Sequence, residues 1–196
     1  MNKNMKKHFT ALGLTAVFLT TIPLITLNLS ASKTQSTKST AKKNIELTDM
    51  LAYEFKEDYC DDGLKALGII LNSNYKSGTS PKTISKKDFL KEHKNGKKYY
   101  SLLEKISKKI KDRCITYKGK AARIPYYYIT NGSCKSEKPY LRNTVSPSDL
   151  LCEEYTFDAK PGVSLYSINK MCERGLSCEE SLNRYFKNIE ITAVND

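Results

Sequence analysis

Two changes in the spacing of apolar residues divide the chain into a leader, a polar stretch and a folded domain. Residues 9–29 are mostly apolar and carry no charge. Residues 32–44 contain no apolar residue other than alanine, so they cannot bury a face, and we expect a flexible linker there. Apolar residues recur at regular spacing from residue 45 onwards, which predicts one domain over residues 45–196.

The first half of the domain has the apolar spacing of four amphipathic helices. Residues 45–55 form the first of them. Asp61 or Asp62 is a suitable N-cap for the second, because a carboxylate there accepts a hydrogen bond from a free backbone N–H group. Residues 85–93 and 98–113 form the last two. A mainly helical first half is therefore expected.

The second half changes to the shorter period of β-structure. Residues 115–118 and 123–130 are rich in β-branched and aromatic residues and flank Lys118-Gly119-Lys120, which predicts a hairpin. The remaining predicted elements are a strand, two helices and a terminal strand, at residues 140–145, 163–173, 178–185 and 188–193. Helices followed by strands favour an α+β domain, in which several helices pack on a small antiparallel sheet.

The N-terminal residues predict an extracytoplasmic location. Lys3, Lys6 and Lys7 precede the apolar run, and small residues end it at positions 29–31, which is the pattern of an export signal. The run is 21 residues long, close to the span of about 20 that crosses a bilayer. A cleaved signal peptide and an uncleaved membrane anchor over residues 1–31 both fit. Either one leaves the domain anchored to the membrane or secreted to the cell wall.

The charge of the chain indicates an anionic partner. The sequence contains 33 basic and 21 acidic residues, a net charge of +12, and without residues 1–31 it still carries 30 and 21, a net charge of +9. A basic domain attracts nucleic acid, anionic lipid or an acidic polymer. The predicted location disfavours nucleic acid and favours the cell wall.

The cysteines and histidines limit the chemistry that the domain can perform. An even number of cysteines outside the cytoplasm predicts disulfides, although the sequence does not select their pairing, and free thiols also fit a host that lives without oxygen. There is no Cys-x-x-Cys, and His93, in a charged stretch that resembles an exposed helix end, is the only histidine after the leader. We therefore expect no metal, no cofactor, no nuclease and no nucleophilic cysteine or serine. The cysteines are Cys60, Cys114, Cys134, Cys152, Cys172 and Cys178.

Three stretches of the domain, in order, resemble the stage II sporulation protein D and amidase-enhancer family. Ala52-Tyr53-Glu54 and Leu64-Lys65-Ala66 are similar to the A-A-E-M-P and L-K-A of that family. The second stretch, residues 116–149, is similar to T-Y-x-G-K, Y-Y-F-S-S-S-G-G and Y-L-R-S-V-x-S-P-x-D. The third, residues 162–191, is similar to G-M-S-Q-Y-G-A-N-A-M and G-K-S-Y-E-E-I-L. Together they cover most of residues 45–191.

The resemblance implies lytic transglycosylation of peptidoglycan, with Glu54 as the catalytic residue. In this reaction the glycan strand is cut between N-acetylmuramic acid and N-acetylglucosamine, and a 1,6-anhydro end is left. Ordinary glycosidases need two carboxyl groups, but here the C6 hydroxyl of the sugar attacks, so one glutamic acid is enough. The acid must be protonated when it acts, and we expect a partly apolar wall built from Leu51, Tyr53 and Phe55.

The resemblance also implies a set of residues that bind the glycan. Tyr126 and Tyr127 are expected to stack on sugar rings, although alternate side chains of a strand face opposite ways and core packing is equally compatible. Thr130 and Asn131 stand within the S-S-S segment of the family, and Ser164 stands at the serine of G-M-S-Q. Gly132 is expected to supply backbone freedom.

Several family residues are replaced in this chain. Asn72-Ser73-Asn74 stand in place of R-T-Y, and Leu165 stands in place of the glutamine of G-M-S-Q. Asp158-Ala159-Lys160 replace the preceding G-H-G. An alternative is therefore a non-catalytic wall-binding protein that assists a partner amidase or hydrolase, in sporulation or another kind of wall remodelling.

Overall fold

The computed structural model describes residues 46–135, 138–154 and 160–193. The predicted leader and linker, residues 1–44, lie outside the described residues. The described residues combine six α-helices with short strands, so the prediction of an α+β fold is confirmed. None of these helices has both the length and the apolar composition that a membrane span requires.

Four α-helices form the first half of the domain. They are α1 (Leu47–Glu54), α2 (Asp61–Lys76), α3 (Lys86–Glu92) and α4 (Gly96–Ile110). α2 begins where Cys60 Sγ accepts a hydrogen bond from Gly63 N at 3.4 Å, so the N-cap is Cys60 and not Asp61 or Asp62. The two aspartates instead occupy the first turn, where the helix dipole stabilises negative charge.

Seven short strands, a 3₁₀ helix and two further α-helices follow in the part of the second half that the structure describes. The strands are β1 (Arg113–Tyr117), β2 (Lys120–Ala121), β3 (Tyr126–Tyr127), β4 (Ser133–Cys134), β5 (Thr144–Val145), β6 (Val163–Ser164) and β7 (Glu190–Ala193). The 3₁₀ helix is Pro147–Leu151, and the α-helices are α5 (Leu165–Glu173) and α6 (Cys178–Asn183). A capping box at Ser177 opens α6, as its sequence predicts.

A three-stranded antiparallel sheet in the order β2-β1-β7 forms the largest sheet. The predicted hairpin joins β1 to β2, with φ of 52° at Lys118 and 73° at Gly119, as a tight two-residue turn requires. β2 ends at Ala121, however, and β3 pairs in parallel with β6, Tyr126 opposite Val163. The predicted antiparallel sheet is therefore accompanied by a parallel pair, which brings residues of the second and third family-like stretches together.

α2 lies at the centre of the domain and is buried around most of its circumference. Its polar residues Asn72, Ser73 and Asn74 are buried. They hydrogen-bond to backbone groups of neighbouring segments of the same polypeptide. Ser73 Oγ accepts a hydrogen bond from Ile115 N at 2.6 Å, and the Asn74 amide pairs with both backbone groups of Ile124 at 2.6 and 2.9 Å. The residues that replace R-T-Y therefore attach the central helix to β1 and to the segment before β3.

The predicted boundaries of two elements differ from the observed ones, because pairing with distant segments sets the observed boundaries. The helix predicted at residues 163–173 begins only at Leu165, because the two preceding residues pair with β3. The strand predicted at residues 140–145 is reduced to β5 and one bridge between Leu141 and Phe186.

None of the six cysteines, all of which lie in the described ranges, forms a disulfide, so the structure does not contain the predicted disulfides. Burial raises the pKa of Cys134 to about 11, that of Cys172 to about 11 and that of Cys178 to about 12. These three thiols therefore stay protonated at neutral pH, and a protonated thiol is a poor nucleophile and a poor metal ligand. Their role in the fold is that of small apolar core residues.

Candidate active site

Glu54 is the last residue of α1 and is partly exposed. Two core residues of α1, Met50 and Leu51, are fully buried and fix the helix against the rest of the domain. The Tyr126 hydroxyl donates a hydrogen bond of 2.9 Å to Glu54 Oε1. Among the described residues no other side chain hydrogen-bonds to Glu54, so Tyr126 alone orients the carboxylate.

A groove of about 350 Å³ contains Glu54 and the three consecutive tyrosines Tyr126, Tyr127 and Tyr128. β3 ends at Tyr127, so the alternation of a strand does not set the direction of the Tyr128 side chain. The end of α2 and the loop after it supply the rest of the lining, which consists of Leu71, Asn74, Thr79, Ser80, Pro81 and Lys82.

The hydroxyls of Tyr126 and Tyr128 each donate a hydrogen bond to a carboxylate. Burial, followed by the charge of Glu54 and the hydrogen bond to it, raises the pKa of Tyr126 well above its usual value. The Tyr128 hydroxyl donates to Asp58 Oδ2 at 3.2 Å, and burial and Asp58 raise the pKa of Tyr128 in the same direction. Both phenols are therefore hydrogen-bond donors across the physiological pH range.

The expected apolar wall around Glu54 is made by other residues. Leu51 is fully buried in the core, and Phe55 packs on Phe89 and His93 with ring centroids 5.6 and 5.5 Å apart. Neither residue is part of the lining of the groove that contains Glu54. Its apolar surface comes from Leu71 and the tyrosine rings.

Thr130 and Ser164 were expected in the glycan groove, but they lie in the interior of the domain. Both are fully buried, and so is Asp149. Asp149 Oδ2 accepts hydrogen bonds from Thr130 N at 2.9 Å and Thr130 Oγ1 at 2.5 Å, while Oδ1 accepts one from Ser164 Oγ at 2.5 Å. Hydroxyls that are buried and engaged in this way are not free to bind a sugar.

Asn131 and Gly132 also lie apart from the described lining of the groove. Asn131 Oδ1 accepts a hydrogen bond of 2.7 Å from Ser133 Oγ. Gly132 has a φ of 77°, a backbone conformation that L-residues with a side chain rarely adopt. Of the predicted glycan-binding residues, the structure therefore brings only Tyr126 and Tyr127 to Glu54.

Asn169 is a buried residue that positions the loop after Glu54, and the sequence analysis did not select it. Its Oδ1 accepts a hydrogen bond from Cys60 N, and its Nδ2 donates one to Asp58 O, both at 2.9 Å. It aligns with the asparagine of the G-M-S-Q-Y-G-A-N-A-M motif that residues 162–171 resemble. That alignment is the sequence signal that identifies it.

Three other grooves on the described surface have none of the predicted catalytic or glycan-binding residues in their lining. A larger groove of about 570 Å³ is lined by Arg142 and Arg184 and lies apart from Glu54. His93 is packed against Phe89 at a ring-centroid distance of 4.3 Å and its side chain is 22% exposed, so it is less exposed than the sequence indicates. Within the described ranges no three potential ligand side chains are grouped to hold a metal ion.

The chain matches no protein-family model and no curated protein.

Proposed function

We propose that this protein cleaves peptidoglycan glycan strands by lytic transglycosylation outside the cytoplasm, with Glu54 as its acid and base. One observation carries the proposal. The Glu54 carboxyl group, hydrogen-bonded to Tyr126 at 2.9 Å, lies in a groove that is lined by three tyrosines. Aromatic faces and hydroxyl donors beside a single carboxyl group suit a saccharide and a reaction that needs no second carboxyl.

The reaction uses one carboxyl group twice, first as an acid and then as a base. Protonated Glu54 gives its proton to the oxygen that bridges the two sugars, and the bond between that oxygen and the anomeric carbon breaks. The C6 hydroxyl of the same sugar then bonds to the anomeric carbon and passes its proton to Glu54. The products are a 1,6-anhydro end and a free 4-hydroxyl, and the glutamic acid is restored. General acid–base assistance of this kind contributes about 10² to 10⁴ in rate.

Glu54 stands at the C-terminal end of α1, where the Tyr126 hydroxyl reaches its carboxyl group. Tyr126 holds one carboxyl oxygen in place, which leaves the other for the substrate. The resemblance to the sporulation family further suggests that the wall being remodelled is that of a sporulating cell.

The test is a digestion of glycan strands stripped of their peptides, followed by mass spectrometry of the products. We expect 1,6-anhydro ends from the wild-type protein and none from Glu54→Gln, because the amide cannot donate the proton. Glu57→Gln is the matched control, since Glu57 is an exposed acid only three residues away and lines no part of the groove. Equal product from wild type and Glu54→Gln would contradict the proposal.

The second candidate is a non-catalytic glycan-binding protein that assists a partner amidase or hydrolase. Leu165 favours it, because this residue is buried in the core at the position where the family motif has a glutamine. This candidate predicts that the wild-type protein binds glycan strands but releases no anhydro product. It also predicts that adding the protein to a purified wall amidase increases the release of stem peptides.

A further inference from the structure

A second groove, of about 590 Å³, lies beside the groove of Glu54, and Tyr53 is part of its lining. The same two segments border both grooves. Residues 52–55, at the end of α1, contribute Glu54 to the first groove and their other three side chains to the second. Residues 79–84 contribute in the same way, the first four to the groove of Glu54 and the last two to the second. The two grooves are therefore neighbours on the surface.

The loop at residues 79–84 is fixed against the helices at both of its ends. Thr79 N donates a hydrogen bond to Asn74 O of α2 at 2.9 Å. Ile84 N donates one to Asp49 O, in the first turn of α1, at 3.3 Å. Because both ends of the loop are held in this way, the fold sets the position of one groove relative to the other.

A contact between Lys82 and Tyr53 forms the boundary between the grooves. Lys82 lines the groove of Glu54, and its Nζ atom lies 5.5 Å from the ring centroid of Tyr53, which lines the second groove. Burial and Glu54 raise the pKa of Tyr126, and the charge of Tyr53 adds to them, so the Tyr53 hydroxyl lies near that of Tyr126. A ligand that leaves the first groove at this boundary therefore meets Tyr53.

Tyr53 is accessible to a ligand. The residue is 44% exposed, whereas its neighbours Leu51 and Ala52 on the same helix are buried. The A-A-E-M-P pattern has an alanine at this position, so the family resemblance does not account for the ring. An exposed tyrosine offers an apolar face and a hydroxyl together, and a sugar ring also combines an apolar face with hydroxyls.

The charged residues of the second groove are compatible with a neutral ligand. Its acidic residues are Asp88 and Glu92. The Asp88 carboxylate already accepts hydrogen bonds from Ser85 Oγ at 2.6 Å and from Lys91 Nζ at 3.2 Å, so its charge is compensated within the protein. An exposed carboxylate such as that of Glu92 can accept hydrogen bonds from sugar hydroxyls.

We propose that a saccharide bound at Glu54 continues across the Lys82–Tyr53 contact into the second groove, where Tyr53 stacks on one of its sugar rings. The ligand is then a neutral glycan that is longer than the groove of Glu54 alone. The kind of saccharide rests on the proposed function, whereas the continuity of the two grooves rests on the segments that border both. The protein should therefore prefer long glycans to short ones.

The proposal predicts that affinity depends on the length of the saccharide and on the ring of Tyr53. In a Glu54→Gln background, which prevents cleavage, a tetrasaccharide from stripped glycan strands should bind about 3- to 10-fold more tightly than a disaccharide, as one added aromatic contact implies. Tyr53→Ala should abolish this difference, and Tyr53→Phe should retain it. Both variants should unfold in urea as the parent does, because the position is exposed on a helix.

Tyr117 supplies a matched control, because a lysine contacts it in the same way. Lys118 Nζ lies 5.5 Å from the ring centroid of Tyr117, and Tyr117 is in the lining of neither groove. Tyr117→Ala should therefore leave the preference for the tetrasaccharide unchanged. An equal loss of preference in Tyr117→Ala and Tyr53→Ala would overturn the proposal.

The experiment is a calorimetric titration with three ligands, namely the disaccharide, the tetrasaccharide and a disaccharide that retains its stem peptide. The third ligand tests the other occupant that the groove could take, a peptide whose amine is attracted to Asp88 and Glu92. If Tyr53→Ala weakens the binding of the peptide-bearing disaccharide alone, a peptide occupies the groove and the proposal is wrong. Equal affinities for the disaccharide and the tetrasaccharide also overturn it, and so does the absence of tetrasaccharide binding.

The outcome separates this inference from the catalytic proposal. A length preference that disappears in Tyr53→Ala, together with no anhydro products from wild type, supports the second groove and contradicts catalysis by Glu54. Anhydro products from wild type, together with a length preference that survives Tyr53→Ala, support catalysis and contradict the role of Tyr53.

Discussion

The fully buried carboxyl group of Asp149 accepts three hydrogen bonds from donors of two separate segments. Thr130 supplies two of them from the loop after β3, and Ser164 supplies the third from β6. Ser164 Oγ in turn accepts a hydrogen bond from Ser167 N and so caps α5. A buried charge is tolerated only when its hydrogen bonds are satisfied, and here each bond also joins two parts of the chain.

Removing the Asp149 carboxyl group should strongly destabilise the domain. We expect Asp149→Ala to lower the free energy of unfolding by about 3 kcal/mol or more, because three buried donors lose their acceptor at once. Urea unfolding followed by circular dichroism measures the change. Asp112→Ala is the control, since Asp112 is exposed and makes only a long ion pair of 3.9 Å with its neighbour. A loss below about 1 kcal/mol at Asp149 would show that the network is not important for stability.

At the scale of the elements, the close approach of α2 and α5 explains why residue 63 is a glycine. Gly63, in the first turn of α2, faces Asn169 of α5, and a Cβ atom at Gly63 would overlap Asn169 Oδ1. Asn169 cannot move freely, because it holds the backbone of both Cys60 and Asp58. The missing side chain of Gly63 therefore allows the contact that positions the loop next to Glu54.

The substitution Gly63→Ala has two opposing effects on the free energy of unfolding. Helix propensity alone predicts stabilisation by up to about 1 kcal/mol, whereas the overlap with Asn169 predicts destabilisation by about 1 to 3 kcal/mol. We expect the overlap to dominate in urea unfolding. In an Asn169→Ala background the overlap is absent, so the same substitution should be neutral or stabilising, with a coupling energy above about 1 kcal/mol. Additive effects of the two substitutions would contradict the proposed contact.

Local patterns predicted the helices and missed the pairing between distant segments. The apolar spacing located all four helices of the first half, and the Lys118-Gly119 turn located the hairpin, because these signals lie within a few residues. The parallel pairing of β3 with β6 depends on segments almost forty residues apart. No local signal distinguishes that partner from an extension of the hairpin.

The candidate site was predicted in part for the same reason. Glu54, Tyr126 and Tyr127 stand in motifs that are conspicuous in the sequence, and the structure brings them to one groove. Thr79 and Lys82 stand in no motif, and only the fold brings them to the same groove. Thr130 and Ser164 show the opposite error, because a hydroxyl in a motif can serve a buried carboxylate as well as a ligand.

At the scale of the whole molecule, the positive charge is concentrated on the helices α3 and α4. Residues 86–111 contain ten lysines and three acidic residues. Five of these lysines, which we call the basic face, are exposed on α4, namely Lys97, Lys98, Lys105, Lys108 and Lys109. The exposed large apolar residues among those described lie elsewhere, so the basic face attracts a partner through charge.

The basic face should increase retention on isolated cell walls that carry anionic polymer. Replacing Lys97, Lys98, Lys105 and Lys108 by Gln should weaken co-sedimentation with walls several-fold at low salt. The difference should vanish near 1 M salt, where the screening length is about 3 Å. Cleavage or binding of stripped, uncharged glycan should be unchanged, because the basic face does not line the groove of Glu54.

A control with the same change of net charge tests whether the location of the lysines matters. Lys118, Lys120, Lys135 and Lys187 are exposed outside α3 and α4 and are replaced by Gln in the same way. We expect this control to retain most of the wall binding. An equal loss in both variants would show that only the total charge counts.

The pairing of β1 with β7 has a consequence for when the domain can fold. β1 begins at Arg113. This residue pairs with Ala193 at the end of the neighbouring strand β7, eighty residues later in the chain. Three consecutive residues of β1, Cys114 to Thr116, are buried, so an unpaired β1 leaves backbone groups without partners in the interior. A nascent chain whose residues 190–193 are still held in the ribosome tunnel or a secretion channel therefore cannot complete its sheet, and the last folding step follows the emergence of β7.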